Sequence, residues 1–245
     1  MKKPFVMVNT DHGAMIVSHL DYCETPDGSF GIGYKLFEYG AYDPFEVETG
    51  IKILDDQRKK FGDGVVVVDG GANIGVMTVA WSRHMRDWGR VIAVEAQERI
   101  FYALAGNITL ANAFNAIPIH AALGAQSGII QMPVPDYFSP CSLGSLSLCL
   151  KPGDLGDTGQ VMETKCPVRV MSIDDMGLER LDLLKLDIEG MEEDALVGAK
   201  RTIERCRPVI VCEIIKSNVD RICSMFSGYG YDIADAGINI VAKPK

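Results

Sequence analysis

Four acidic residues each close a run of apolar residues. Asp69 follows Val65-Val66-Val67-Val68, Glu95 follows Val91-Ile92-Ala93-Val94, Asp187 follows Leu183-Leu184-Lys185-Leu186, and Glu213 follows Val209-Ile210-Val211-Cys212. A carboxylate so placed can accept hydrogen bonds from ligand hydroxyls, attract a cation or take up a proton. The first of these acids runs directly into Gly70-Gly71-Ala72-Asn73-Ile74-Gly75. Glycines let a backbone turn tightly and approach a ligand, and the first turn of a following helix has unpaired N–H groups to offer. Such a loop often cradles phosphate. Here the fixed negative charge of Asp69 would repel phosphate and attract an ammonium or a sulfonium group.

Glu95 stands 20 residues beyond Gly75, where a carboxylate at the end of a second strand accepts both hydroxyls of a ribose. A sulfonium and a ribose together describe S-adenosylmethionine, whose chemistry is methyl transfer. An NAD-dependent oxidoreductase would use the same acid, but the loop lacks G-x-G-x-x-G spacing and Asp69 and Asp187 would repel a pyrophosphate. That enzyme and a non-catalytic donor-binding protein stand as the alternatives. Methylation of an alcohol is an in-line displacement, in which donor and acceptor must be aligned and a proton removed. Asp187 and Glu189, on the loop after the fourth sheet strand, are the candidates for the catalytic role. With Glu213 they form a set of hard oxygen ligands suited to Mg²⁺ or Ca²⁺. No metal is assigned, because none of His12, His19, His84 and His120 is placed with these acids.

The elements that must position these residues follow from periodicity. Four successive valines fit a strand buried on both faces, because β-branched side chains suit a pleated surface and a half-exposed strand would alternate with polar residues. Strands at 65–69, 90–95, 117–121, 181–187 and 208–213 alternate with helices at 74–85, 97–113, 191–205 and 217–227, the pattern of a parallel sheet with crossover helices. The last strands, near 231–234 and 238–242, are joined only by Asp235-Ala236-Gly237. That connection is too short for a parallel crossover and gives an antiparallel hairpin. The expected fold is α/β: a Rossmann-like three-layer sandwich of the class I methyltransferase type, with a mainly parallel seven-stranded sheet. Before it, residues 44–60 read as a helix capped by Asp43, with Pro44 in its first turn, Glu46 completing a capping box, and Phe45, Val47, Ile51 and Leu54 as its buried stripe. Residues 5–8 and 14–17 flank a turn and form a hairpin, so 1–43 is an N-terminal extension or lid on a domain spanning 44–245. Within that domain, residues 124–165 are dense in Gly and Pro yet retain apolar side chains, as an insert covering a ligand would.

The chain has 245 residues, of which 47% are hydrophobic, and a net charge of −9. That balance argues against a nucleic-acid partner, which calls for a basic stripe. No signal-peptide core or membrane span is present, so the expected location is cytoplasmic. Seven cysteines without a C-x-x-C pair fit reduced thiols rather than disulfides or a zinc site.

Six short motifs extend this reading: Asp69-x-Gly71-Ala72-Asn73-Ile74-Gly75, Glu95-Ala96-Gln97, Ala121-Ala122-Leu123-Gly124, Ser172-Ile173-Asp174-Asp175, Lys185-Leu186-Asp187-Ile188-Glu189-Gly190 and Pro208-Val209-Ile210-Val211-Cys212-Glu213. In order and spacing they resemble the FkbM-type methyltransferases over about residues 44–215. The resemblance implies S-adenosylmethionine as cofactor and O-methylation of a hydroxyl on a sugar or other small natural product. It also implies that Asp69, Gly71, Asn73 and Gly75 hold the methionine part, Glu95 the ribose, and the turn at Ala121 and Ala122 the adenine, with Asp187 beside the donor. Where the family often has Glu-Pro, this chain has Glu95-Ala96.

Overall fold

The computed structural model describes residues 3–25, 28–147, 158 and 160–245. The chain opens with hairpin β1 (Phe5–Thr10) and β2 (Gly13–Ser18), a short pair β3 (Cys23–Thr25) and β4 (Gly28–Phe30), and helix α1 (Ile32–Tyr39). Helix α2 (Pro44–Phe61) leads into β5 (Val65–Gly70), α3 (Val76–His84), β6 (Gly89–Glu95), α4 (Glu98–Leu110) and β7 (Ala116–His120). Then come β8 (Ala122–Leu123), β9 (Gly128–Pro133) and β10 (Lys165–Met171), which form a small separate sheet. The chain ends with β11 (Leu183–Leu186), α5 (Glu192–Val197), α6 (Lys200–Cys206), β12 (Val209–Glu213), α7 (Val219–Gly228), β13 (Tyr231–Ala236) and β14 (Asn239–Pro244).

The central sheet has seven strands in the order β13-β14-β12-β11-β5-β6-β7. Strands β12, β11, β5, β6 and β7 run parallel, and β14 pairs antiparallel with both β12 and β13. The two-sided burial read from the valines is met literally. Val65 and Val67 pack with Leu54, Val79 and Leu104 from α2, α3 and α4, while Val66 and Val68 pack with Leu196, Ile203 and Phe226 from α5, α6 and α7. Among the described residues no helix is long and apolar enough to cross a membrane.

Three sequence expectations change in the structure. The buried stripe of α2 is Val47, Gly50, Ile53 and Leu54, whereas Phe45 is 73% exposed. The reason is Trp81 of α3, which lies so close to Gly50 that a Cβ there would fall 2.5 Å from the indole, and the helix turns that face inward. Asp43 does cap α2 by accepting from the Glu46 N–H at 3.1 Å. The Glu46 side chain, however, lines a small cavity beside Lys185. The single helix expected at 191–205 is broken into α5 and α6. Gly198 packs against the Gly124 carbonyl at a distance no Cβ could share, and Asp174 caps the second helix by accepting from the N–H groups of Arg201 and Thr202.

The N-terminal hairpin shares the main core, since Met15 and Val17 belong to the same buried cluster as Val65 and Val67. Asn107 of α4 fixes it by accepting from the Ile16 N–H at 2.6 Å and donating to the Ile16 carbonyl at 3.1 Å. Of the 124–165 insert, β9 and a 3-10 turn at Leu143–Ser145 are formed. Its residues 148–157 and 159 lie outside the described residues.

Candidate functional site

A cavity of about 380 Å³ opens at the carboxyl ends of β5, β6, β11 and β12, the crevice where open α/β sheets bind ligands. Its wall includes Gly71, Asn73, Glu95, Ala121, Ala122, Asp187 and Glu189 from the residues the sequence singled out, together with Glu213. The glycine loop and Glu95 are built as one unit. Asn73 takes a left-handed conformation (φ 49°), and its N–H donates to Glu95 Oε2 at 3.0 Å. The Gln97 N–H donates to Glu95 Oε1 at 2.7 Å. Each carboxylate oxygen keeps a further lone pair for a ligand hydroxyl. Burial of Glu95, opposed by those amides, pushes its carboxyl up to about 7.

Two of the expected donor residues sit elsewhere. Gly75 does not line the cavity. It starts α3 at φ 92°, and a Cβ there would meet Leu104 at 2.6 Å, so it is a packing position between α3 and α4. Asp69 is fully buried beneath the cavity floor: Thr78 Oγ1 donates to its Oδ2 at 2.5 Å, and Lys185 Nζ lies 3.8 Å from Oδ1. It faces an adjoining pocket of about 30 Å³ with Tyr42, Glu46, Lys185 and Asp187. Gly71 does line the main cavity, but a Cβ at this φ of 74° would fall 1.7 Å from the Asp187 carbonyl oxygen. What demands glycine there is the close approach of protein backbone, not ligand.

Asp187, Glu189 and Glu213 each place a carboxylate oxygen within 4.8 Å of the other two. None is spent on capping α5. Among the described residues no side chain caps it, and Glu192, its first residue, instead ties down the preceding loop by accepting from the N–H groups of Ile188 at 2.9 Å and Gly190 at 3.0 Å. Lys216 Nζ lies 2.6 Å from Glu189 and donates to the Ser145 carbonyl at 2.7 Å. Burial raises Glu189 to about 7 against the pull of Lys216. Burial and then the neighbouring Asp187 and Glu189 charges raise Glu213 to about 8. Such a group of oxygens can bind a cation or a polyhydroxylated ligand, or accept a proton. The histidines are elsewhere: His84 bonds Asp55 and His120 stacks on Phe101, and neither His12 nor His19 lines the cavity.

The roof comes from two segments far apart in sequence, Phe30–Ile32 with Lys35, and Ser142–Leu146. Asp21 joins them by accepting from the Gly33 N–H at 3.0 Å and the Leu143 N–H at 2.8 Å. Gln97 adds a bond from Nε2 to the Leu143 carbonyl at 2.7 Å. Sequence reading missed Asp21, Tyr42 and Lys216, because nothing local marks them, and it placed Gln97 in a motif without giving it a role. Lys185 did carry a signal, a lysine inside a leucine run.

A pH dependence follows from this concentration of buried acid. Burial, opposed by its amide partners, raises Asp21 to about 6, alongside Glu95, Glu189 and Glu213 at about 7, 7 and 8. A carboxyl raised by folding contributes stability that is fully present below its unfolded value and is lost as pH rises through its folded value. The melting temperature of the ligand-free protein should therefore fall between about pH 4.5 and 8 and level off above that. A calorimetric midpoint that holds level or rises across that window would contradict these assignments.

A mainly parallel seven-stranded sheet closed by an antiparallel hairpin, with an acid and a glycine loop at the strand ends, is the class I methyltransferase fold. Residues 69–233, more than half of the chain, match the FkbM methyltransferase domain, and the protein belongs to that family. Membership supports S-adenosylmethionine as its cofactor and sets aside the nicotinamide reading. Among solved structures it is similar to the methyltransferase FkbM of Methylobacillus flagellatus KT, with 19% identity and a TM-score of 0.51 over 74% of this chain and 44% of that one. It thus spans less than half the length of that relative. A precorrin-6y C5,15-methyltransferase from Geobacter metallireducens GS-15 follows, with 15% identity and a TM-score of 0.46 over 84% of this chain and 89% of that one. The magnesium protoporphyrin IX methyltransferase of Synechocystis PCC 6803 has 10% identity and a TM-score of 0.45 over 82% and 79%. No curated protein sequence matches.

Proposed function

We propose that this protein methylates a hydroxyl of a small, neutral or cationic acceptor such as a sugar or another natural product. The observation that carries the reading is the shared cavity: Glu95 stands at one side of it, and the Asp187, Glu189 and Glu213 carboxylates at another. When bound, S-adenosylmethionine supplies a methyl group on a positively charged sulfur. Glu95 accepts the ribose hydroxyls with the lone pairs its amide partners leave free. The small side chains of Ala121 and Ala122 leave room for the adenine. Gly71 and Asn73 border the methionyl part, with Asp69 acting from the floor. Asp187 and Glu189 are the pair to which the acceptor proton passes. Glu189, raised to about 7, is tuned to the range in which a general base works best.

The charge of the site favours one class of acceptor. As they ionise, the clustered carboxyls repel phosphate and attract hydroxyl protons or an ammonium, so phosphate-rich acceptors, nucleic acid among them, are disfavoured. The test is transfer of a tritiated methyl group to a panel of neutral polyols, amino sugars, nucleotide sugars and RNA. Label should enter the first two classes. Label appearing in RNA or nucleotide sugars instead would overturn the acceptor assignment.

A further inference from the structure

The order of the sheet strands sets a direction across the cavity. The turn at Ala121 and Ala122 follows β7 and Glu95 ends β6, whereas Glu213 ends β12 and Asp187 follows β11. Three strand spacings separate β6 from β12, roughly 14 Å at about 4.8 Å each. A donor with its adenosine at the first end presents its methyl group towards the second. The cavity measures about 380 Å³, near the lower end of the roughly 300–1,000 Å³ of a small-molecule site. The donor therefore fills most of it. Only the reacting end of an acceptor enters, and the remainder rests on the mouth.

At that end the mouth is apolar. Ile215, two residues beyond Glu213, is 61% exposed, and Ile238, in the turn between β13 and β14, is 51% exposed, yet both line the cavity. Exposed isoleucines scattered singly are ordinary. These two belong to segments tied together, because the Ile214 N–H donates to the Ile238 carbonyl at 3.0 Å. The fold demands neither side chain, and neither joins a core cluster among the described residues. A two-residue hairpin turn takes its positive φ from glycine, here Gly237 at 79°, and ordinarily follows it with a small polar residue. A local rule broken without a packing gain marks a functional position. The roof adds Phe30 and Ile32 to the same cavity.

We propose that the acceptor is an amphiphile of the type of a glycoside with an apolar aglycone: its hydroxylated head enters towards Asp187 and Glu189, and its apolar body rests on Ile215 and Ile238. The proposal rests on the reading of this cavity as a site that methylates the hydroxyl of a neutral or cationic acceptor. A bare sugar gains nothing from two isoleucines, whereas each methylene taken out of water against them is worth about fourfold in affinity.

The test is calorimetric titration of the protein, saturated with S-adenosylhomocysteine, with octyl β-D-glucoside below its micelle-forming concentration and with methyl β-D-glucoside. The octyl compound should bind at least about tenfold more tightly, and I215N/I238N should lose that preference. Both side chains are exposed, so the double variant should fold; Ile215→Asn alone reads the same preference if it does not. Equal or undetectable binding of the two glucosides by the parent overturns the proposal, as does a preference that survives in the variant. A parent that sediments as a dimer and a variant that does not would assign the rim to a second copy of the chain and overturn it too. If the octyl compound is preferred but tritiated methyl enters RNA or nucleotide sugars, the apolar rim stands as a ligand contact and the neutral-acceptor reading falls. If label enters neutral polyols and the preference is absent, only the amphiphile falls.

Discussion

Gly71→Ala should destabilise the protein by about 3–5 kcal/mol, the range of mutations that force a backbone clash or a strained conformation, and should abolish donor binding with it. The added methyl would stand 1.7 Å from the Asp187 carbonyl oxygen at a φ of 74°, a contact that no rotamer relieves because both atoms belong to the main chain. Relief requires the ends of β5 and β11 to part. The Asp187 N–H then loses the Gly70 carbonyl, at present 3.1 Å away, and the Gly71 and Ala72 N–H groups are pulled from the Val94 carbonyl that both now reach at 3.0 Å. For a chain of this length the loss corresponds to a melting temperature lower by about 10 °C. Calorimetry and titration with S-adenosylhomocysteine check both parts. A variant melting within about 2 °C of the parent and binding normally would mean that the loop is not held as described.

The fold was legible because the sheet signals are local. Val65 to Val68 and Leu183 to Leu186 are strands by composition alone, and the short connection expected at Asp235-Ala236-Gly237, which the structure tightens to Gly237-Ile238, admits one topology. The strand-end acids were legible for the same reason, and Glu95, Asp187 and Glu213 do meet at one cavity. What failed to show in the sequence was set by contacts between distant segments. Phe45 has the right spacing for the buried face of α2, but Trp81 decides which face that is. The break between α5 and α6 depends on Gly124 and Asp174, far upstream. Asp69 reads as a ligand contact until Lys185 and Thr78 are seen to enclose it. The roof is the extreme case. Asp21 joins residue 33 to residue 143, a juxtaposition that no periodicity encodes.

Glu95→Ala should weaken S-adenosylhomocysteine by about 1.5–3 kcal/mol, the scale of hydrogen bonds to a charged group, or roughly 10- to 150-fold in Kd. Folding should be affected less than in Gly71→Ala. The alanine leaves the Asn73 and Gln97 N–H groups without their present acceptor, but at a cavity wall where water can replace it. The loss should also depend on pH in the parent and not in the variant. Ribose hydroxyls donate to the ionised carboxylate, so affinity should increase as pH rises through the folded value of about 7. The measurement that tests the central claim most directly is therefore calorimetric titration of S-adenosylhomocysteine into the parent and Glu95→Ala at pH 6 and pH 8. The account predicts tight binding by the parent that strengthens at the higher pH, and weak, pH-independent binding by the variant. Equal affinities in the two proteins would contradict the placement of the donor in this cavity.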